Sequence, residues 1–227
     1  MSQQGTTRSY ADAQTRTIAA AGATFAYREL GPQSGVPLVL LTHLGANLDG
    51  WDPRIVDGLA QDHRVIAVDY RGVGQSTGRV RESFEEMADV VALIRALGHD
   101  RVDMFGLAVG GMVAQAVAAR APRLIDRLIL ASPGPAGGPG LAALTGTAIT
   151  TGLRAALTLN DPKTPLFFTS TGTGKRAERA YLARLRERTT ERDKPVTPGT
   201  YRAQLTAVRR WGCRLPPNGR RTSARCS

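Results

Sequence analysis

The chain has 227 residues, 42% of them hydrophobic and 22% charged, with a formal net charge of +11. That length and balance point to one globular domain. No run approaches the ~18 apolar residues needed to span a bilayer, which argues against a membrane span. Three of the 30 basic residues are lysine (Lys163, Lys175, Lys194) and the rest are arginine scattered along the chain. This suggests a GC-rich coding sequence and not the basic stripe, interleaved with aromatics, of a nucleic-acid-binding surface.

The N-terminus shows no basic-then-apolar order, so no secretory leader is read there and a cytoplasmic location is expected. Positions 15–20 and 24–28 read as two short strands about the turn Ala21-Gly22. The continuous apolar run at 36–42 reads as a strand buried on both faces. Asp52-Pro53 caps and starts a helix to about Ala60, with proline at the first helical position. A second buried strand follows at 64–69. Ser83 with Glu86 forms a capping box, and Phe84, Met87, Ala88, Val91, Ile94 and Leu97 share one face of a helix that stops at Gly98. Strands at 102–105 and 128–131 flank a helix at 109–119.

A Pro/Gly-rich linker at 133–140 marks a change of composition. Beyond it only helices are expected, at 141–157, 175–189 and 200–211. The chain is therefore divided into a core at 1–136, a helical cap at 137–212 and an unstructured tail at 213–227. The tail is rich in Arg, Pro, Ser and Cys, as out-of-frame reading of GC-rich DNA is, so Gly212 is read as the end of the ancestral frame. Cys213 and Cys226 have no framework spacing and are expected as free thiols.

The decisive segment runs from Val102 to Gly111. Small and apolar residues lead into Gly106, one residue must turn sharply, and Gly110 and Gly111 let the next helix pack close. This is the shape of the G-x-S-x-G nucleophile elbow, with Ala108 in place of the serine. Two further segments accompany it: His43-Leu44-Gly45 after one strand, and Asp69-Tyr-Arg-Gly-Val-Gly-Gln-Ser76 after the next.

In this order and spacing, with helices beyond, the segments resemble the α/β-hydrolase superfamily over about residues 17–212, near small esterases, lactonases and cofactor-free haloperoxidases. The resemblance implies an α/β fold with a mostly parallel sheet of about six strands under a helical cap, the family's last two strands missing. It also implies a serine, an acid and a histidine in that chain order, with the last two on loops after strands not found here. Oxyanion donors would be the backbone N–H groups of Val109 and Gly45, although the family more often has glycine where Leu44 stands. His43, Leu44, Phe167 and Phe168 would line a ligand pocket.

His43, His63 and His99 are read as structural or surface residues, and Ser76 as structural in its motif. Ser132 ends a strand outside any elbow. Gly72, Gly74 and Gly78 have the wrong spacing for a dinucleotide loop, and Gly174-Lys175 lacks the first glycine and the Ser/Thr of a phosphate loop. The sequence thus implies a relative of serine esterases and lactonases with absent or very low activity. No metal or other cofactor and no nucleic-acid or membrane partner is implied, and the ligand would be a small hydrophobic ester or lactone. The alternatives are an active small-ester hydrolase with an unrecognised nucleophile, and a non-catalytic binder of a small hydrophobic ligand. An uncovered strand at 128–131 is expected to limit solubility.

Overall fold

The computed structural model describes residues 9–138, 140, 141, 143, 146 and 167–214. Six strands form one sheet: β1 (Arg16–Ala20), β2 (Ala23–Leu30), β3 (Leu38–Leu41), β4 (Val65–Val68), β5 (Val102–Leu107) and β6 (Ile125–Ala131). Their spatial order is β1-β2-β4-β3-β5-β6, with β1 and β2 antiparallel to their neighbours and β3 to β6 mutually parallel. The fold is the expected α/β class with a mostly parallel sheet.

The continuous apolar runs hide a period of two. Val39, Leu41, Ile66 and Val68 enter one core layer, with Phe25, Met104, and the helices α2 (Phe84–Met87), α3 (Val90–Ala96) and α4 (Val109–Arg120). Leu38, Leu40, Val65 and Ala67 enter the other, with Tyr10, Leu48, Trp51 and Val56 of α1 (Pro53–Leu59). The central strands β3 and β4 are buried on both faces because helices cover both sides, the usual state of a parallel sheet.

The helix starts follow local chemistry. Asp52 accepts from the Arg54 N–H at 3.1 Å, with Pro53 at the first turn. Ser83 accepts from the Glu86 N–H at 3.2 Å, but the single helix expected from 83 to 97 is two, broken at Ala88–Asp89. The Asp89 side chain is drawn to the guanidinium of Arg71 and lies 3.8 Å from that of Arg81, which reorients the chain there.

Two C-terminal helices are described. α5 (Gly172–Arg184) starts three residues before the expected point because the Thr171 hydroxyl accepts from the Gly174 N–H at 3.1 Å. α6 (Pro198–Gly212) is capped by Thr197 in the same way. The helix expected at 141–157 and the tail from 215 onward lie largely or wholly outside the described residues. Cys213 is disulfide-bonded, which corrects the expectation of a free thiol there, and Cys226 lies outside the described residues.

No strand pairs with the outer side of β6 among the described residues, and Leu128, Ile129 and Leu130 stand 37%, 48% and 40% exposed. An uncovered apolar edge invites pairing with other chains. Ile129→Lys should raise the monomer fraction at high concentration and leave the unfolding temperature nearly unchanged. Size-exclusion chromatography with light scattering reads this, and equal self-association of both proteins would show that β6 is not the sticky edge.

Candidate functional site

The C-terminal ends of β3, β4 and β5 meet at the start of α4. Gly110 has no room for a side chain: a Cβ there would overlap the carbonyl of Leu41, with the Thr42 oxygen at 2.8 Å. At Gly106 a Cβ would lie 2.5 Å from the Gly110 oxygen, and at Gly111 one would lie 2.8 Å from Pro133. The elbow glycines therefore serve close backbone approach.

Ala108, between β5 and α4, has φ 50° and ψ −110°, a conformation that L-residues resist. Its N–H donates to the Ala131 oxygen at 2.8 Å, and its carbonyl accepts from Gly111 and Met112. The turn is the sharp strand-to-helix hinge expected, and the residue at its apex carries a methyl group. Val109 follows in the first turn of α4, where N–H groups lack intrahelical acceptors.

His43, Leu44 and Gly45 lie just beyond β3, beside that turn. His43 is buried, and its Nδ1 donates to the Leu44 carbonyl at 2.9 Å. Its ring meets that of Phe167 edge-on at 5.9 Å, so those two expected pocket residues come together. Phe168 instead packs against Tyr181 of α5, with ring centroids 5.6 Å apart. Leu44 packs against the core layer that contains Val109, Val208 and Trp211.

Gly45 has φ +69°, and Tyr201 of α6 lies against it so closely that a Cβ would meet the ring at 2.8 Å. The Gly45 N–H donates to Gln204 Oε1 at 2.8 Å. The expected second oxyanion donor is thus engaged by a side chain from α6. Sequence reasoning missed Gln204, which shares a helical face with the buried Ala207, Val208 and Trp211 and is itself fully buried. A glutamine inside that apolar stripe was the available signal.

The other candidates are placed elsewhere. His63 and His99 precede β4 and β5, at the opposite end of strands that rise ~3.3 Å per residue, so about 20 Å of sheet separates them from the elbow. Partial burial, and then Arg64, lower the His99 pKa. The Ser76 hydroxyl accepts from the Ala26 N–H at 2.9 Å and donates to the Asp69 carbonyl, a structural role. Ser132 is exposed, follows β6 and has φ 54°.

The glycine loop after β4 is no phosphate cradle. A Cβ on Gly74 would overlap carboxylate oxygens of both Asp69 and Asp193, so an anion there would be repelled. Gly174 is the helix start it was read as, its N–H taken by Thr171.

Residues 36–211 match the family model described as the alpha/beta hydrolase fold. This chain belongs to the α/β-hydrolase fold family. It is similar to a solved alpha/beta hydrolase fold protein from Chitinophaga pinensis, with a TM-score of 0.86 and 33% identity, covering 92% of this chain and 76% of that one. Among curated relatives, “Putative carbamate hydrolase RutD” of Rhizobium rhizogenes is 40% identical over 96 residues, which are 41% of this chain and 36% of that protein. “Pimeloyl-[acyl-carrier protein] methyl ester esterase” of Pectobacterium carotovorum is 36% identical over 98 residues, 43% of this chain and 37% of that protein. The chain spans less than half the length of these curated relatives. No helix among the described residues is long and apolar enough to cross a membrane.

Both the Ala108 hinge and the buried Asp69 carboxyl carry local free energy that can be measured. Ala108→Gly removes the methyl group that resists this φ, so it should stabilise the fold by about 1 kcal/mol, the strain relieved less the entropy that glycine adds to the unfolded chain. Urea denaturation reads the change, and an unaltered or lower midpoint would mean that the hinge holds no strain.

The second concerns Asp69, which is fully buried with its carboxyl against that of Asp193 and near the Leu48 N–H. Burial first, and then the facing Asp193 carboxyl, push its pKa well up, against the opposing pull of Arg28. Two carboxyls in contact need a shared proton. The folded protein therefore keeps this proton at pH values where the unfolded chain has lost it. The resulting stability is full below the ordinary carboxylate range and is lost as pH rises toward the raised value. Asp193→Asn supplies an N–H donor in place of the proton, so its stability should fall less than the wild type's from about pH 4 to 8. Parallel slopes in urea titrations would refute the shared proton.

Proposed function

We infer that this chain binds small acyl compounds in an α/β-hydrolase site and turns them over slowly or not at all. The observation that carries this reading is Ala108, which occupies the apex of a strained, correctly shaped elbow with a side chain that cannot attack a carbonyl. Geometry that costs free energy has been kept, and the reactive atom has not.

The site is flanked by a first-turn amide at Val109 and by Leu44, next to Gly45, and Phe167, against His43, while Val208 and Trp211 belong to the core layer on which Leu44 packs. That lining suits a small, mainly apolar ester, lactone or carbamate, in keeping with the names of the relatives. A preorganised amide donor still stabilises charge on a carbonyl oxygen, and sites without a nucleophile retain roughly 10³-fold catalysis over water. Slow turnover alone is therefore compatible with this reading.

A competing reading is hydrolysis through another hydroxyl. It is favoured by Ser132, which is exposed, has φ 54° and directly follows Ala131, the acceptor of the Ala108 N–H. A fluorophosphonate probe with peptide mapping separates the two. The expected result is no labelled serine in the wild type, and an esterase rate in Ala108→Ser within about ten-fold of wild type, since His63 and His99 lie at the far end of the sheet. His43 lies beside the elbow, but it is buried and its Nδ1 is bound to the Leu44 carbonyl in place of the acid that orients a catalytic histidine. Labelling at Ser132 would establish the competing reading, and ordinary esterase rates in Ala108→Ser would show a working base that this reading denies.

A further inference from the structure

The Gly45 N–H fixes the orientation of the Gln204 carboxamide. Only its oxygen can accept that hydrogen bond, at 2.8 Å, so the amino group must point away from Gly45. Gln204 is fully buried, and its Nε2 has no hydrogen-bond partner among the described residues. A buried donor left unpaired costs free energy, and such groups are nearly always satisfied in folded proteins.

Around it α6 is mainly apolar: Ala207, Val208 and Trp211 continue the same face and join the core layer that holds Leu44 and Val109, and the buried Thr200 one turn earlier has its hydroxyl engaged with that of Thr197. Tyr201, one helical step away, lies against Gly45 and holds this part of α6 against the loop after β3. The amino group is thus held in an apolar, enclosed place beside the elbow.

We propose that Gln204 determines ligand specificity here, its amino group donating to the carbonyl oxygen of a neutral acyl compound and so replacing the engaged Gly45 N–H as the second donor beside Val109. This rests on the reading of an acyl-binding site given above. Neutrality follows from the surroundings: an anion would be buried among apolar groups without a paired cation, whereas a carbonyl oxygen needs only donors.

The test titrates the whole protein with methyl carbamate, acetamide and γ-butyrolactone as neutral probes and acetate as the anionic one. It follows thermal stability and the side-chain amide signals in 1H–15N spectra. At least one neutral probe should bind saturably and move the Gln204 NH2 signals, and acetate should not. Gln204→Glu keeps an acceptor for Gly45 and loses the donor, and Gln204→Met removes both at similar length. Whichever variant retains the wild-type circular dichroism should bind the probe at least about ten-fold more weakly.

No saturable neutral probe, binding of acetate alone, or unchanged affinity in the variants would overturn the proposal. Tighter binding in Gln204→Met would do so as well, because the carboxamide would then be a plug over Gly45. None of these outcomes depends on a serine nucleophile. Fluorophosphonate labelling therefore tests the parent reading separately.

Discussion

The seating of α4 on the ends of β3 and β5 governs the rest of the site. Gly110 meets the backbone oxygens of Leu41 and Thr42, and Gly106 meets the backbone of Gly110 and Gly111, at distances that exclude any side chain. Once those backbones touch, the connection between β5 and α4 has one residue in which to reverse direction. Ala108 must then accept φ 50° whatever its side chain. The strain is therefore a property of the packing around the hinge and survives without a catalytic serine. The same approach sets His43, Leu44 and Gly45 beside the first turn of α4, because they continue from Leu41 and Thr42.

The C-terminal helices are tied to this core largely by charge. Arg184 of α5 grips both carboxylate oxygens of Asp52 at 2.7–3.0 Å, and Asp52 also caps α1. Arg188 donates to the carbonyls of Ala11 and Ala13, and Arg28 meets Asp49 at 2.6 Å, all largely out of water. Asp49 in turn accepts from the Asp193 N–H at 2.8 Å. Such buried pairs gain little net stability over apolar packing, but breaking one leaves an uncompensated charge. They fix where the helices sit. Trp211 completes the docking, its indole N–H donating to the Gly134 carbonyl at 3.0 Å and its ring meeting Phe84 edge-on.

Most of the sheet was legible because its central strands β3 and β4 are uniformly apolar and the neighbouring caps and stops are local signals. The positions of β3, β4 and β5, the Asp52 cap and the glycine spacing of the elbow all depend on residues a few places apart. The division of the helix after Ser83 was not legible, since it depends on Arg71, eighteen residues before Asp89. Gln204 was hidden for the same reason. Its partner, Gly45, is 159 residues away, and a lone polar residue on an amphipathic helix looks like an error in the pattern until the fold supplies its acceptor. Asp193 reads as a solvated loop residue until the structure presses it against Asp69 and the one glycine that leaves room for both.

These distant contacts join the elements beside the elbow to the protonation of the core. Val109 belongs to α4 and is fixed by backbone contact, whereas Gln204 belongs to α6 and goes wherever that helix docks. The segment entering α6 begins at Asp193, whose carboxylate accepts from the Leu48 and Lys194 N–H groups while facing Asp69. The proton that keeps the two carboxyls together also holds this entry against the loop after β3. Loss of the proton would set two buried negative charges against each other four residues before the Thr197 cap.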